Sequence, residues 1–179
     1  MKHVIQCKFC NSLFRVIIFS LLGVLQVAQA QSKAELGVGA IGLVVSDIEV
    51  SEQFYTEILM MKLVGEFSLD EQWSREAGAS DGKPFSVKRF VTVDAPTATE
   101  LKLAYFDETQ PGQKKPNIAQ SAGVNYITFS YSAEAFQKVL KNIEEAGLSI
   151  PGMIQRDAYQ LFFIQDPDGI FVEIVGPPK

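Results

Sequence analysis

The sequence predicts an α+β fold made of two βαβββ modules, with curved mixed sheets that enclose a cavity. Three observations predict it. Residues 40–46 align with residues 126–132 at an offset of 86 residues, which indicates an internal repeat. In both copies an apolar strand pattern is followed by a serine and then by an amphipathic helical pattern. Residues 161–175, LFFIQDPDGIFVEIV, are typical of a hairpin, because the central Pro-Asp-Gly favours a tight turn.

The first 30 residues have the order of a secretory signal peptide. Three basic residues accompany an apolar run over residues 16–25, and Ala28-Gln29-Ala30 is typical of a cleavage site. The apolar run is short for a membrane span, although an uncleaved anchor stays the alternative. We therefore expect a periplasmic or secreted protein that has no membrane contact after cleavage.

Removal of residues 1–30 changes the chemistry of the chain. His3, the only histidine, and both cysteines, Cys7 and Cys10, lie in the removed part. The remaining residues 31–179 keep 13 basic and 21 acidic residues, a net charge of −8. This charge argues against nucleic acid as a partner, and the length suits one domain.

Module one is predicted over about residues 38–106. A strand over residues 37–46 leads into a helix, for which Ser46 and Glu49 have the spacing of a capping box. The helix carries one apolar stripe over residues 50–59. Further strands are predicted over residues 61–67, 85–94 and 99–106, with a polar loop over residues 68–84.

Module two is predicted over residues 123–176, after a linker over residues 107–122 that lacks apolar periodicity. A strand over residues 123–131 is followed by a helix with Ser132 as N-cap, which ends at Gly147. Three more strands are predicted over residues 148–155, 159–165 and 170–175.

Strand alternation indicates the candidate site. In the first strand of each module, large apolar residues alternate with small or polar ones, which is typical of a strand between a core and a cavity. Glu173 lies in the middle of an apolar strand, and Glu100 is expected at the matching place in module one. Glu173 is the candidate catalytic residue. The candidate ligand-binding residues are Glu100, Tyr126, Thr128, Lys102 and Phe162.

These motifs together resemble the vicinal oxygen chelate superfamily, which includes glyoxalase I, extradiol dioxygenases and bleomycin-resistance proteins. The resemblance spans nearly all of residues 38–175. It is carried by Gly42-Leu43-Val44-Val45-Ser46-Asp47-Ile48-Glu49, Phe54-Tyr55, residues 123–129, Asp166-Pro167-Asp168-Gly169 and Phe171-Val172-Glu173. It implies the glyoxalase/bleomycin-resistance fold.

The resemblance also implies where a metal would bind. The positions that hold a divalent ion in metal-dependent relatives correspond here to Ala40, Glu100, Tyr126 and Glu173. Alanine has no donor, tyrosine is a poor neutral ligand, and residues 31–179 supply no imidazole or thiolate. We expect no cofactor, while a Mg²⁺, Ca²⁺ or Mn²⁺ site through Glu100 and Glu173 stays open. Met60, where relatives usually have glycine, is a further departure.

The sequence therefore predicts an exported protein that binds a small polar or cationic molecule in the sheet cavity without a His-ligated metal. The alternative is a lyase, isomerase, epimerase or dioxygenase-like enzyme that uses Glu173 and Glu100, with or without a hard divalent metal. A third reading is a degenerate module that is kept as a subunit or interaction partner. At Glu173 itself, the alternative to a ligand contact is an internal salt bridge with Lys102. A homodimer is also open, because relatives complete the cavity within one chain or between two.

Overall fold

The computed structural model describes residues 39–120 and 122–179, so the predicted signal peptide over residues 1–30 lies outside the described residues. Two mixed sheets of four strands each form the framework, with one sheet in each module. Among the helices of the described part, none is long and apolar enough to span a membrane.

Module one has the predicted βαβββ order with one addition. Its elements are β1 (Ala40–Val44), α1 (Ile48–Gln53), a π-helical turn (Phe54–Ile58), β2 (Lys62–Leu69), α2 (Glu71–Glu76), β3 (Phe85–Val91) and β4 (Glu100–Tyr105). The sheet order is β1-β4-β3-β2, in which β1 and β4 are parallel and the other pairs are antiparallel.

Module two repeats this arrangement. Its elements are β5 (Tyr126–Ser130), α3 (Ala133–Glu145), β6 (Met153–Gln155), β7 (Gln160–Gln165) and β8 (Phe171–Gly176). The sheet order is β5-β8-β7-β6, again with one parallel pair, β5 and β8. The strands β1 and β5 begin 86 residues apart, which agrees with the repeat in the sequence.

Several local predictions need correction. The N-cap of α1 is Asp47 rather than Ser46, because the Asp47 carboxylate accepts the amides of Glu49 and Val50. The polar loop over residues 68–84 contains α2, whose N-cap is Asp70. The strand predicted over residues 148–155 is reduced to β6.

The helix side of both modules forms one apolar core. Phe54, Leu59, Phe136, Val139 and Ile174 belong to a single cluster of buried side chains to which both sheets contribute. The helix face of α3 is buried there, as its apolar spacing predicts. Burial of this apolar surface is the main force that holds the modules together.

A buried hydrogen bond crosses this core. The Tyr55 hydroxyl donates to the Asp166 Oδ2 over 2.9 Å, and the Ile170 amide donates to Oδ1 over 2.8 Å. Burial raises the pKa of Asp166, although both hydrogen bonds oppose that rise. Burial and the nearby carboxylates, Asp166 and then Asp168, raise the pKa of Tyr55 well above its usual value.

The Pro-Asp-Gly turn of the predicted hairpin also forms hydrogen bonds with module one and with the segment between the modules. The Asp168 carboxylate accepts the Ser46 amide over 3.1 Å and the Gly112 amide over 3.3 Å. Gly169 has the left-handed φ of +87° that this turn requires. The segment predicted as a linker is therefore partly fixed against module two, and the Gln165 side chain donates to the Lys115 carbonyl over 2.6 Å.

The two sheets are the walls of the predicted cavity. The two sheets remain separate four-stranded sheets and are not closed into a barrel. The faces opposite the core carry several exposed side chains, such as Val44 at 57% and Tyr126 at 46%, whereas Val87 and Val91 are buried on the face of module one. The two outer faces are therefore described separately below.

Neighbouring residues of β7 test the assignment of the two faces. Phe162 is 1% exposed and packs edge-on against Phe136, whereas the Phe163 ring lies on the opposite face. We expect Phe162→Ala to lower the free energy of unfolding by about 3–5 kcal/mol through the cavity that it leaves. Phe163→Ala should cost only about 1 kcal/mol, since this ring is partly solvated. Urea unfolding of the two variants measures the difference, and equal losses would contradict the assignment.

The Asp166 carboxyl predicts a specific pH dependence. Because its folded pKa is raised, its contribution to stability is fully present below the unfolded pKa of about 3.9 and is lost as pH rises through the folded value. We expect Asp166→Asn to remove this loss, so that its stability relative to the natural protein improves from pH 4 to pH 7. Urea titrations at several pH values measure it.

Asp94 supplies a control of opposite sign for that titration. Its hydrogen bond to Lys62 lowers the pKa of this exposed carboxyl, so its contribution is lost as pH falls. The loss of stability caused by Asp94→Asn should therefore be smaller at low pH than at neutral pH. If the stability difference from the natural protein changed with pH in the same direction for both variants, the raised pKa of Asp166 would be contradicted.

Candidate functional site

The Glu173 carboxylate lies at the middle of the outer face of module two. In the register of the sheet, Thr128 of β5 and Phe163 of β7 flank Glu173 on its two sides. The Thr128 hydroxyl donates to the Glu173 Oε2 over 2.6 Å. This bond orients the carboxylate and leaves its other lone pairs free for a ligand.

Three aromatic rings lie on the same sheet face as this carboxylate. The Tyr126 and Phe163 ring centroids are 5.8 Å apart, and those of Phe163 and Phe171 are 6.5 Å apart, both in edge-to-face geometry. A pocket of about 280 Å³ adjoins them, and it is lined by Pro116, Asn117, Ile118, Pro151, Gly152, Phe163 and Phe171. A carboxylate beside aromatic faces has the chemistry that binds an organic cation.

The outer face of module one has a different chemistry. Arg89 of β3 lies opposite Lys102 of β4, and Glu100 lies two residues before Lys102 on the same face. The Arg89 Nη1 and the Glu100 Oε1 are 3.6 Å apart, which is an ion pair but longer than a hydrogen bond. These three side chains line a separate pocket of about 320 Å³. Lys88 faces the helices instead, where it pairs with Glu52.

The register corrects the predicted equivalence of Glu100 and Glu173. Glu173 pairs with Thr128, and the repeat equivalent of Thr128 is Gly42, which pairs with Lys102. The counterpart of Glu173 is therefore Lys102, and the counterpart of Glu100 is Phe171. Both last strands have a similar alternation of residue types, so their sequence pattern does not distinguish this register from one displaced by two residues.

The predicted site residues fall into three groups. Tyr126, Thr128 and Glu173 are brought together on the face of module two, while Glu100 and Lys102 lie together on module one. Phe162 is corrected, because it lies in the core on the opposite face from Glu173. The predicted salt bridge between Glu173 and Lys102 is absent from the ion pairs of residues 39–120 and 122–179.

Two further residues belong to these faces although they were not among the candidates. Phe171 shares the face of Glu173 through simple strand alternation, so the sequence contained the signal. Arg89 could be assigned to a face only with the register between β3 and β4, because the sequence places Lys88 and Arg89 on opposite faces without saying which is outward.

The residues at the implied metal positions do not form a suitable ligand set. Within the described part of the chain, no group of three His, Cys, Asp or Glu side chains is placed to hold a metal ion. Ala40 supplies no donor, and Glu100 is already beside the Arg89 guanidinium.

Comparison with protein families agrees with this architecture. Residues 37–174 match the family model of the Glyoxalase/Bleomycin resistance protein/Dioxygenase superfamily. The chain belongs to this superfamily. No curated protein gives a significant sequence match to the chain.

Solved structures show the same fold at low sequence identity. A glyoxalase family protein from Bacillus cereus is 15% identical, with a TM-score of 0.67, over 83% of this chain and 99% of the other. A glyoxalase/dioxygenase from Nostoc punctiforme is 25% identical, with a TM-score of 0.55, over 80% of this chain and 92% of the other. A fosfomycin resistance protein from Listeria monocytogenes, solved with Mn(II) and a dihydroxypropylphosphonic acid, is 16% identical with a TM-score of 0.50, over 77% and 90%. The superfamily fold is thus present over both modules.

Proposed function

We propose that this superfamily member is an exported protein that binds a small polar or cationic organic molecule on the face of module two, without a His-ligated metal. One observation carries the proposal: the Glu173 carboxylate accepts a hydrogen bond from Thr128 and shares its sheet face with the rings of Tyr126, Phe163 and Phe171. The negative charge would attract an ammonium group, and the rings would contact its apolar part.

The surroundings of Glu173 support a cationic rather than an anionic ligand. No basic side chain pairs with Glu173 among the ion pairs of the described residues, so its charge is not neutralised by a neighbour. A single hydroxyl donor leaves most of the carboxylate's hydrogen-bonding capacity unused. An incoming ammonium group would use that capacity through charge-assisted hydrogen bonds.

An enzymatic role for the same carboxylate is the second candidate. The hydrogen bond from Thr128 engages one oxygen of Glu173 and does not engage the other, which a general base could use to take a proton. In a lyase or isomerase of this kind, Glu173 would take a proton next to a substrate carbonyl. This candidate differs from simple binding in its outcome. The protein should convert the ligand into a product, or should bind a metal together with it.

The homodimer stays a prediction. Two open sheet faces on one chain are compatible with a cavity completed by a second copy. The binding proposal does not require it, because the Glu173 site is formed by residues of one module.

Binding of a simple organic cation tests the proposal. We expect the exported protein to bind benzylammonium, and we expect Glu173→Gln to weaken this binding about tenfold or more, since a charge-assisted hydrogen bond is lost. Isothermal titration calorimetry measures both affinities. Thr128→Val should weaken binding less, because it disturbs only the orientation of the carboxylate.

The control variant for this titration is Glu144→Gln, which makes the same charge change on an exposed residue of α3. Binding should be unchanged in this variant and should survive EDTA. Loss of binding on addition of EDTA would favour the metal-dependent candidate. Equal affinity of the natural protein and Glu173→Gln would refute the cation site.

Export makes a separate prediction. If Ala28-Gln29-Ala30 is a cleavage motif, the protein recovered from the periplasm or medium should begin at Gln31. N-terminal sequencing or the intact mass of the exported protein measures this. Recovery of a membrane-bound chain that keeps residues 1–30 would instead support the uncleaved anchor.

A further inference from the structure

The pocket on the outer face of module one does not take part in the proposed cation site. We propose that it is a second ligand site, which binds the carboxylate of a small organic acid through Arg89 and Lys102. The pocket combines these two cations, an internal carboxylate that competes for one of them, and an apolar wall.

Arg89 has unused binding capacity. Among the described residues, Arg89 has one ion-pair contact, from its Nη1 to the Glu100 Oε1 over 3.6 Å, and its buried Nε has no hydrogen-bond partner there. A guanidinium normally presents a planar fork that matches both oxygens of a carboxylate. Glu100 occupies this fork only partly, so a better-placed carboxylate can replace it.

Lys102 adds a second positive charge. It lies opposite Arg89 in the register of β3 and β4, and the ion pairs found among the described residues do not include it. Asp94, which also lines the pocket, is already paired with Lys62. Arg89 and Lys102 against Glu100 therefore leave one net positive charge, which matches one carboxylate.

The absence of a side chain at Gly65 leaves room for the guanidinium beside strand β2. A Cβ at Gly65 of β2 would lie 3.0 Å from the Arg89 Nη2, which is tighter than ordinary van der Waals contact. Gly65 pairs with Arg89 across the bulge in β2, so the guanidinium can lie flat against the backbone of that strand. A larger side chain at position 65 would displace the fork without changing any charge.

The rest of the pocket suits an apolar body of limited size. Its apolar lining consists of Ala40, Val64, Val91, Ala95, Pro96 and Ala98. A volume of about 320 Å³ is enough for a single ring or a short aliphatic chain. The expected ligand is therefore a small monocarboxylic acid with an apolar part.

Benzoate, with benzamide as its neutral analogue of nearly equal shape, tests the site. We expect calorimetric binding of benzoate at least about tenfold tighter than that of benzamide, and weakened binding at high salt. Lys102→Met and Gly65→Val should each weaken benzoate binding severalfold. Glu100→Gln should strengthen it, because the internal competitor for Arg89 is removed.

A charge-removing variant outside the pocket is the control for this experiment. Lys141→Met removes an exposed positive charge from α3 and should leave benzoate binding unchanged. Equal affinities for benzoate and benzamide, or weaker benzoate binding in Glu100→Gln, would overturn the proposal. The opposite sign of the Glu100 and Lys102 variants guards against a general loss of folding, which would weaken both.

The test is also independent of the cation site. Benzoate binding should persist in Glu173→Gln, and benzylammonium binding should persist in Lys102→Met. Failure of one ligand with retention of the other therefore assigns the error to one module face. Loss of both ligands in either variant would show that the two faces do not act separately, and would overturn this proposal.

Discussion

The buried hydrogen bond between the Tyr55 hydroxyl and the Asp166 carboxylate determines which sides of the two modules pack against each other. A carboxylate that is 1% exposed is tolerated only with donors, and here one donor comes from module one and another from the turn of module two. The bond therefore requires the helical side of module one to lie against the Pro-Asp-Gly turn. With the helical sides joined in one core, the opposite sheet faces are left available for ligands.

The same strand register supports opposite chemistry on these two faces. Lys102 and Glu173 occupy equivalent places in the two sheets. Their neighbours on the next strand also differ, since Arg89 lies beside Lys102 and Phe163 lies beside Glu173. A lysine beside an arginine repels its neighbour and favours an anion, whereas a glutamate beside an aromatic ring favours a cation. Substitution at equivalent outward positions changes ligand preference at little cost to folding, because the core contacts lie on the inward positions.

The sequence predicts the repeat, the order of strands and the face of each β8 residue, because these depend on local spacing. It does not predict register between strands that are distant in the chain. For this reason the sequence pattern places Glu100 at the position equivalent to Glu173, whereas the register gives that position to Lys102, which pairs with Gly42. The error for Phe162 has a related cause, since two adjacent phenylalanines give no polar contrast by which the outward ring can be chosen. Asp47 and Ser46 likewise both suit an N-cap, and only backbone geometry distinguishes them.

The separation of charge also explains why a metal site is chemically disfavoured in this member. A divalent ion needs several anionic or nitrogen donors directed at one point. Here the Glu100 carboxylate is opposed by Arg89, and the Glu173 carboxylate is directed by Thr128 among aromatic rings. A metal cation placed near Glu100 would meet the positive charge of the Arg89 guanidinium, which lies beside this carboxylate. The arrangement favours organic ions, which are recognised by single charges and apolar contact, over a coordinated metal.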